Sequence, residues 1–210
     1  GVPDGVIDDY DKTNIGSPMP EFTFGWTNTF RYKNFDLSVF INGSYGNKVY
    51  NYLSMKLTHM NSPWTNQLNA VNGRAQLVPI NPNKVYEDGT MWYNDVSNVM
   101  VANPGASIPR ATINDPNDND RISDRYIEDG SYIRLKNISL GYTFPKKTID
   151  KLGLSNLRIY ANIQNLLTIT GYDGYDPEIG ASTSSVNVYG LDNGRYPSPT
   201  VYSFGLNVSF

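Results

Sequence analysis

The chain has 210 residues, a formal net charge of −3 and no cysteine. The lack of cysteine excludes a disulfide framework, thiolate catalysis and Cys-ligated zinc or iron–sulfur sites. The small charge, without a basic block, argues against nucleic-acid binding, and no apolar run approaches the ~18 residues of a membrane helix. Aromatic residues are plentiful, which suits membrane-interface girdles and sugar-binding surfaces equally well.

The first residues carry no signal peptide and read as a loop, so we interpret the chain as a piece of a longer precursor. Residues 4–11 resemble the second half of a calcium loop, with the carboxylates of Asp4, Asp8 and Asp11 and the carbonyl of Val6 as ligands. The earlier ligand positions are missing and the last ligand is Asp rather than Glu. A solvated acidic turn is the competing interpretation.

Two strands and a tight turn at Lys33-Asn34 predict a hairpin. The strands run from Glu21 to Tyr32 and from Phe35 to about Tyr45, and both alternate with a period of two. One face is apolar, and Phe40 is an exception on the polar face. The apolar face contains Phe22, Phe24, Trp26, Phe30 and Tyr32 in the first strand, and Phe35, Leu37, Val39, Ile41 and Tyr45 in the second.

A connection of some eighty residues, from Gly46 to Gly130, follows the hairpin. Tyr50 to Met60 has a helix-compatible composition, and Asn, Pro and Gly then interrupt it. Residues 114–120 are rich in Asp and Asn and predict a polar loop, with cation binding as the alternative. A compact domain rarely contains so long a connection, so we expect it to carry structure of its own.

Three further strands are predicted in the last third of the chain. One runs from about Tyr132 to Phe144, and a shift of phase near Arg134-Leu135-Lys136 predicts a bulge or emergence from a membrane. The next, about Asn156 to Leu166, has charged or amide groups on its inward face, which a dry core accepts poorly. The last strand, Thr200 to Phe210, has one apolar wall and one small, polar wall.

Short and long connections alternate along the chain, as they do in outer-membrane barrels. The pattern places the short turns in the periplasm and the long loops outside the cell. The predicted organisation is an extracellular loop end (1–20), a barrel hairpin (21–46), a long extracellular loop (47–129), a second barrel hairpin (130–166), an extracellular loop (167–199) and a C-terminal barrel strand (200–210).

Three ordered motifs resemble the SusC/RagA-type TonB-dependent transporters of Bacteroidetes. They are Arg125-Tyr-Ile-Glu-Asp-Gly-Ser-Tyr-Ile-Arg-Leu-Lys-Asn-Ile-Ser-Leu-Gly-Tyr-Thr-Phe-Pro145; Leu157-Arg-Ile-Tyr-Ala-Asn-Ile-Gln-Asn-Leu-Leu167 with Gly174-Tyr-Asp-Pro-Glu178; and Gly194-Arg-Tyr-Pro-Ser-Pro-Thr200 before the terminal strand. The resemblance covers residues 1–50 and 119–210, whereas the middle of the first long loop matches no signature.

The resemblance implies an all-β fold, the C-terminal strands of a 22-stranded antiparallel transmembrane β-barrel in the outer membrane. It also implies an N-terminal plug, a SusD-like lipoprotein lid, energy from TonB, and import of oligosaccharides or sometimes peptides. Five strands cannot close a membrane barrel, because two edges would stay unpaired in lipid. We therefore expect this chain to act only as part of a larger protein, and to be no enzyme.

Aromatic residues outside the strands are the candidate ligand contacts, because flat rings stack on the apolar faces of sugars. The alternative is that these rings pack the loops, and Tyr175, within a family signature, favours a structural role. His59, the only histidine, limits histidine-dependent catalysis and metal binding. The candidate ligand-binding residues are Trp64, Trp92, Tyr93, Tyr172, Tyr175 and Tyr189.

Three other functions remain open from the sequence. A soluble β-sandwich carbohydrate-binding module explains the aromatics and the alternation, but neither the alternating loop lengths nor the amide-lined fourth strand. A passive porin or adhesin barrel would lack a plug domain in its precursor. A surface glycosidase needs two carboxylates, and no pair among the 20 acidic residues stands out.

Overall fold

The structure, a computed structural model, describes residues 7–115, 117–178 and 189–210. The chain divides into two compact units. The first comprises Gly1–Thr13 and Leu53–Ile122, and the second comprises Asn14–Tyr52 and Ser123–Phe210. Within the described ranges, no helix combines the length and the apolar character needed to cross a membrane.

A five-stranded antiparallel sheet dominates the second unit, and all five predicted strands are present. The strands are β1 (Phe22–Tyr32), β2 (Phe35–Tyr45), β7 (Tyr132–Thr143), β8 (Asn156–Thr170) and β10 (Val201–Ser209). Neighbouring strands are hydrogen-bonded in the order β1-β2-β7-β8-β10. The fourth predicted strand, β8, continues four residues beyond Leu166.

The pairing register of this sheet aligns the apolar residues of all five strands in rows across one face. The other face carries rows of polar and small residues, because successive side chains of a strand point to opposite sides. Phe204, in the middle of an apolar row, is 83% exposed. One apolar row is Phe30, Leu37, Leu140, Ala161 and Phe204, and the adjacent polar row is Thr29, Ser38, Ser139, Asn162 and Ser203.

The predicted bulge lies at Lys136. The register between β2 and β7 shifts there, and the register between β7 and β8 shifts between Leu135 and Asn137. On the β8 side, Asn165 has a left-handed backbone with φ of 52°, a conformation that Asn tolerates better than most residues. The phase shift read from the sequence is therefore a true irregularity in the ladder.

A small three-stranded sheet, which the sequence did not predict, lies in the same unit. β3 (Lys48–Asn51) pairs antiparallel with β6 (Ile127–Asp129) and parallel with the two-residue β9 (Leu191–Asp192). These strands are short and far apart in sequence, so no local alternation marks them. Val49 and Asp192 are buried there. The sheet joins both ends of the connection between β2 and β7 to the connection between β8 and β10.

The first unit is built mostly from turns. The helix α1 (Tyr52–Thr58) leads into it and lies within the predicted segment from residue 50 to residue 60. β4 (Leu77–Pro79) and β5 (Val99–Val101) form a two-stranded ladder. The short helix α2 (Lys146–Ile149), in the second unit, completes the assigned α-helices and β-strands of the described residues.

Candidate functional site

A cleft of about 950 Å³ lies in the first unit. Three segments form its walls: residues 74–77, which lead into β4; the 3-10 turn Trp92–Asn94; and residues 110–114. The volume falls within the range of about 300–1,000 Å³ that is typical of ligand sites. All three walls belong to the long connection between β2 and β7.

Backbone hydrogen bonds hold the first wall in place. The amide N–H of Ala75 donates to the carbonyl of Ile108 (2.9 Å), and the N–H of Ala102 donates to the carbonyl of Gln76 (2.8 Å). The side chain of Asn103 accepts from the N–H of Gln76 (2.8 Å) and donates to the carbonyl of Arg74 (2.9 Å). The side chains of this wall therefore project from a fixed backbone.

Two of the predicted ligand-binding residues, Trp92 and Tyr93, lie together at this cleft. Their ring centroids are 5.7 Å apart, and the planes meet at 80° in an edge-to-face contact. Tyr93 is 44% exposed, so its ring keeps a free surface. Aromatic rings favour this arrangement, because the edge of one ring is partly positive and the face of the other is partly negative.

The other four predicted aromatics lie outside the cleft lining. Trp64 belongs to the same unit and is 92% exposed. Tyr175 and Tyr189 are exposed in the connection between β8 and β10 of the second unit. Tyr172 is buried, with 5% of its surface exposed, so its ring offers no face to a ligand. Of the six residues, two therefore lie at the cleft, three are exposed elsewhere and one is buried.

The Tyr172 side chain forms a structural anchor. Its hydroxyl donates to Asp192 Oδ2 (2.6 Å), and Asp192 Oδ1 accepts from the N–H of Gly194 (2.7 Å). Burial, together with the neighbouring Asp192 carboxylate, raises the pKa of Tyr172 well above its usual range. The pair joins the start of the loop after β8 to the small sheet.

A second anchor is centred on Arg134, whose side chain is 3% exposed. The guanidinium bonds to Asp176, to Glu178 (2.6 Å) and to the Thr168 hydroxyl (2.8 Å). Burial alone raises the pKa of Asp176, but hydrogen bonds from Arg134 and from the backbone N–H groups of Ser198 and Glu178 outweigh it, so that the pKa is lowered. The only signal in the sequence near Arg134 is the shift of phase along its strand, which does not identify its partners.

The acidic residues at the start of the chain form a turn. Asp8 Oδ1 accepts from the N–H of Tyr10 (2.8 Å), and Asp11 Oδ2 accepts from the N–H of Asp8 (2.9 Å). Both carboxylates thus cap the 3-10 turn Asp9–Asp11. The other two predicted calcium ligands, Asp4 and Val6, lie outside the described residues, and calcium binding stays a prediction.

His59 lies between two carboxylates of the segment predicted as a polar loop. Its Nε2 is 3.0 Å from Asp115 Oδ2, and its Nδ1 is 3.8 Å from Asp120 Oδ2. Burial alone raises the pKa of Asp115, but hydrogen bonds from Asn119 and His59 lower it overall. The three residues are near enough to hold a metal ion. However, the two ring nitrogens of His59 already face different carboxylates, and this arrangement suits a structural contact that holds the loop against His59.

Comparison with solved structures defines the class of fold. A chain of the RagAB peptide transporter matches with a TM-score of 0.66 and 22% identity, over 93% of this chain and 18% of that chain. The same importer in its open-open state matches with a TM-score of 0.62 and 19% identity, over 91% of this chain and 17% of that chain. The five-stranded sheet therefore has the fold of a barrel wall, and the fold of this chain is that of part of a barrel protein.

Curated relatives specify the family. TonB-dependent receptors P3 and P26 of Formosa agariphila are 36% and 33% identical over 98% and 99% of this chain, which is 18% and 19% of their own lengths. SusC of Bacteroides thetaiotaomicron is 29% identical over 98% of this chain and 17% of its own length. No protein-family model matches the chain.

The chain belongs to the TonB-dependent receptors of SusC/RagA type, and it spans about a fifth of the length of the curated relatives it matches. The resemblance predicted from the three sequence motifs is thereby confirmed. The curated relatives are named as receptors and not as enzymes, in line with the expectation from the sequence.

Proposed function

We propose that this chain is part of an outer-membrane importer with a 22-stranded barrel, which takes up oligosaccharides or peptides with a SusD-like lipoprotein and energy from TonB. Family membership supports the proposal, because the relatives are named TonB-dependent receptors. The RagAB complex, named a peptide transporter, supports a two-protein assembly. The passive porin and the glycosidase have no comparable support.

One structural observation carries the membrane placement: the sheet has an exposed apolar face opposite a polar one. Phe30 and Phe204 lie on the apolar face and are more than half exposed. In a soluble β-sandwich a second sheet covers such a face, and in the described part of the chain none does. Lipid would cover this face, because removing apolar surface from water lowers the free energy by about 25 cal/mol per Å².

The polar face supports the same placement. It carries the ion pair of Arg158 with Asp36, and buried amide oxygens of Asn42, Asn137 and Asn162 without a hydrogen-bond partner among the described residues. A buried unpaired acceptor costs about 1–3 kcal/mol, so this face suits a lumen. Water or the rest of the receptor would supply the missing donors there.

The connections support an orientation. A two-residue link joins β1 to β2, and a short segment with α2 joins β7 to β8. Both lie at the same end of the strands. The long connections leave from the opposite end of the strands. Because periplasmic turns are short and extracellular loops are long in such barrels, the cleft of the first unit would lie in an extracellular loop.

Spin labels on adjacent residues test the membrane placement. In the full-length receptor, reconstituted in lipid and with any other cysteine replaced, Phe204→Cys and Ser203→Cys would each carry a nitroxide. We expect the label at residue 204 to be relaxed by oxygen, which partitions into lipid, and the label at 203 by a water-soluble nickel chelate. Equal accessibility of the two sites to both reagents would exclude the barrel wall.

Purification tests the assembly and its cargo. The tagged full-length receptor, extracted in mild detergent from the outer membrane of its own host, should bring a SusD-like lipoprotein with it in stoichiometric amount. Mass spectrometry of small molecules released from the complex should then find oligosaccharides or peptides. A receptor that is isolated alone and without cargo would contradict the proposal.

A further inference from the structure

We propose that the cleft between Arg74, Trp92 and Arg110 selects an anionic oligosaccharide, one that bears uronate carboxylates or sulfate groups. The inference rests on the proposed function, because it names the class of cargo that such an importer would capture. It concerns the first unit alone, whose three cleft walls all lie within Leu53–Ile122.

The charged residues that line the cleft are both arginines. Arg74 and Arg110 both line the cleft, and no Asp or Glu among the described residues lines it. Arg74 Nη1 donates to the carbonyl of Val71 (3.2 Å), and most of its five N–H donors have no partner among the described residues. Among the ion pairs of the described residues, neither guanidinium has a carboxylate partner within 4.0 Å.

The acidic residues that follow two of the walls are already engaged. Asp95, next to the wall residue Asn94, accepts from Lys84 Nζ (2.5 Å), the Tyr86 hydroxyl (2.9 Å) and the Ser97 hydroxyl (2.6 Å). These partners hold the pKa of Asp95 far below its usual range. Its carboxylate is therefore not free to neutralise the cleft.

Asp115, next to the wall residue Asn114, is engaged in the same way. It bonds to His59 and to the side chain of Asn119 (2.5 Å). Both flanking carboxylates therefore bond to other side chains, and neither is paired with Arg74 or Arg110. Guanidinium forks bind carboxylate and sulfate oxygens in pairs of parallel hydrogen bonds.

The remaining lining favours a saccharide over an acidic peptide. Trp92 and Tyr93 present ring surface next to the charges, and such rings stack on the C–H faces of sugars. Amide side chains follow on each wall, and they can bond sugar hydroxyls. These amide residues are Gln76, Asn94 and Asn114.

Matched pairs of ligands test the charge selection. The full-length receptor, purified with its lipoprotein partner, would be titrated with tetragalacturonate and its methyl ester, and with a carrageenan tetrasaccharide and its desulfated form. We expect at least one anionic member to bind at least tenfold more tightly than its neutral counterpart, and Arg74→Gln and Arg110→Gln each to remove most of that difference. A glutamate-rich peptide of equal charge should bind more weakly.

A matched variant controls for loss of charge alone. Arg125 is exposed and belongs to the second unit, so Arg125→Gln should leave every affinity unchanged. Equal affinity for charged and neutral members of both pairs, unchanged affinity in both cleft variants, or tighter binding of the peptide would overturn the inference. The receptor could still reach the membrane and retain its lipoprotein in each of those cases, and only failure of that assembly would count against the proposed function.

Discussion

Arg158 on β8 reaches across the intervening strand β7 to form an ion pair with Asp36 on β2. Its Nη2 lies 2.6 Å from Asp36 Oδ2, and its Nε lies 3.2 Å from Asp36 Oδ1. The residue beneath the guanidinium on β7 is Gly141, where a Cβ would collide with both partners. The missing side chain therefore creates the path along which three strands are linked.

Substitution of Gly141→Ala should break this link. We expect the melting transition of the full-length receptor, followed by heat-modifiable migration on gels, to fall by an amount close to that caused by Asp36→Asn. Because the pair is partly exposed, the loss should be at most about 1 kcal/mol. The matched control is Gly171→Ala, since a Cβ at Gly171 meets no atom within 4 Å; a larger loss in this control would contradict the assignment.

Removal of the Arg134 charge should release the loop that follows β8. Arg134→Gln leaves Asp176 buried without its cation, which costs about 3–5 kcal/mol for a buried pair. Amide hydrogen exchange of residues 171–178 should rise sharply. Lys136→Gln is the control, because Lys136 bonds to the more exposed Glu178 (2.6 Å) and, among the described residues, not to Asp176. Similar exchange in both variants would count against an anchor at Arg134.

The same anchor should depend on acidity. Because the pKa of Asp176 is lowered in the folded protein, its stabilisation is complete above the ordinary Asp pKa of about 3.9 and is lost as the pH falls below that value. Hydrogen exchange of residues 171–178 should therefore be constant from neutral pH to about pH 4, after correction for intrinsic rates, and rise under more acidic conditions. A release between pH 5 and 7 would show that another group controls the loop.

The hydroxyl of Tyr172 should matter more than that of Tyr175. Tyr172→Phe removes the donor to Asp192, whose side chain is fully buried, and an unsatisfied buried acceptor costs about 1–3 kcal/mol. Tyr175 is exposed, so Tyr175→Phe should be neutral. Thermal melting and proteolysis of the loop after β8 would compare the two variants, and equal stability would contradict the buried anchor.

The two loop tryptophans should differ in ligand capture. Trp92→Ala removes ring surface from the cleft lining, whereas Trp64 lies outside it. Because the ring would stack on an apolar face of the sugar, Trp92→Ala should weaken binding of the tightest anionic tetrasaccharide several-fold. Calorimetry of both variants would measure this, and the larger loss in Trp64→Ala would place the ligand elsewhere.

The sequence determined the main sheet because alternation is local. The rows of Phe30 and Phe204, the tight turn at Lys33 and the bulge at Lys136 all follow from residue order within one or two strands. The three motifs also predicted the family, which the relatives confirm. The small sheet escaped prediction because β3, β6 and β9 are too short to show a period.

Only the tertiary structure decided which polar groups meet. Arg134 and Asp176 are 42 residues apart. Arg74 comes to the same cleft as Arg110 because hydrogen bonds of the Asn103 side chain and of the Ile108 carbonyl fold the loop back. The sequence also offered Tyr172 and Trp92 as equivalent ligand contacts, whereas folding buried one and left the other at a cleft. Periodicity indicates on which face of a strand a residue lies. Its partner on that face comes from a distant part of the chain, and it is brought there only when the intervening loop closes.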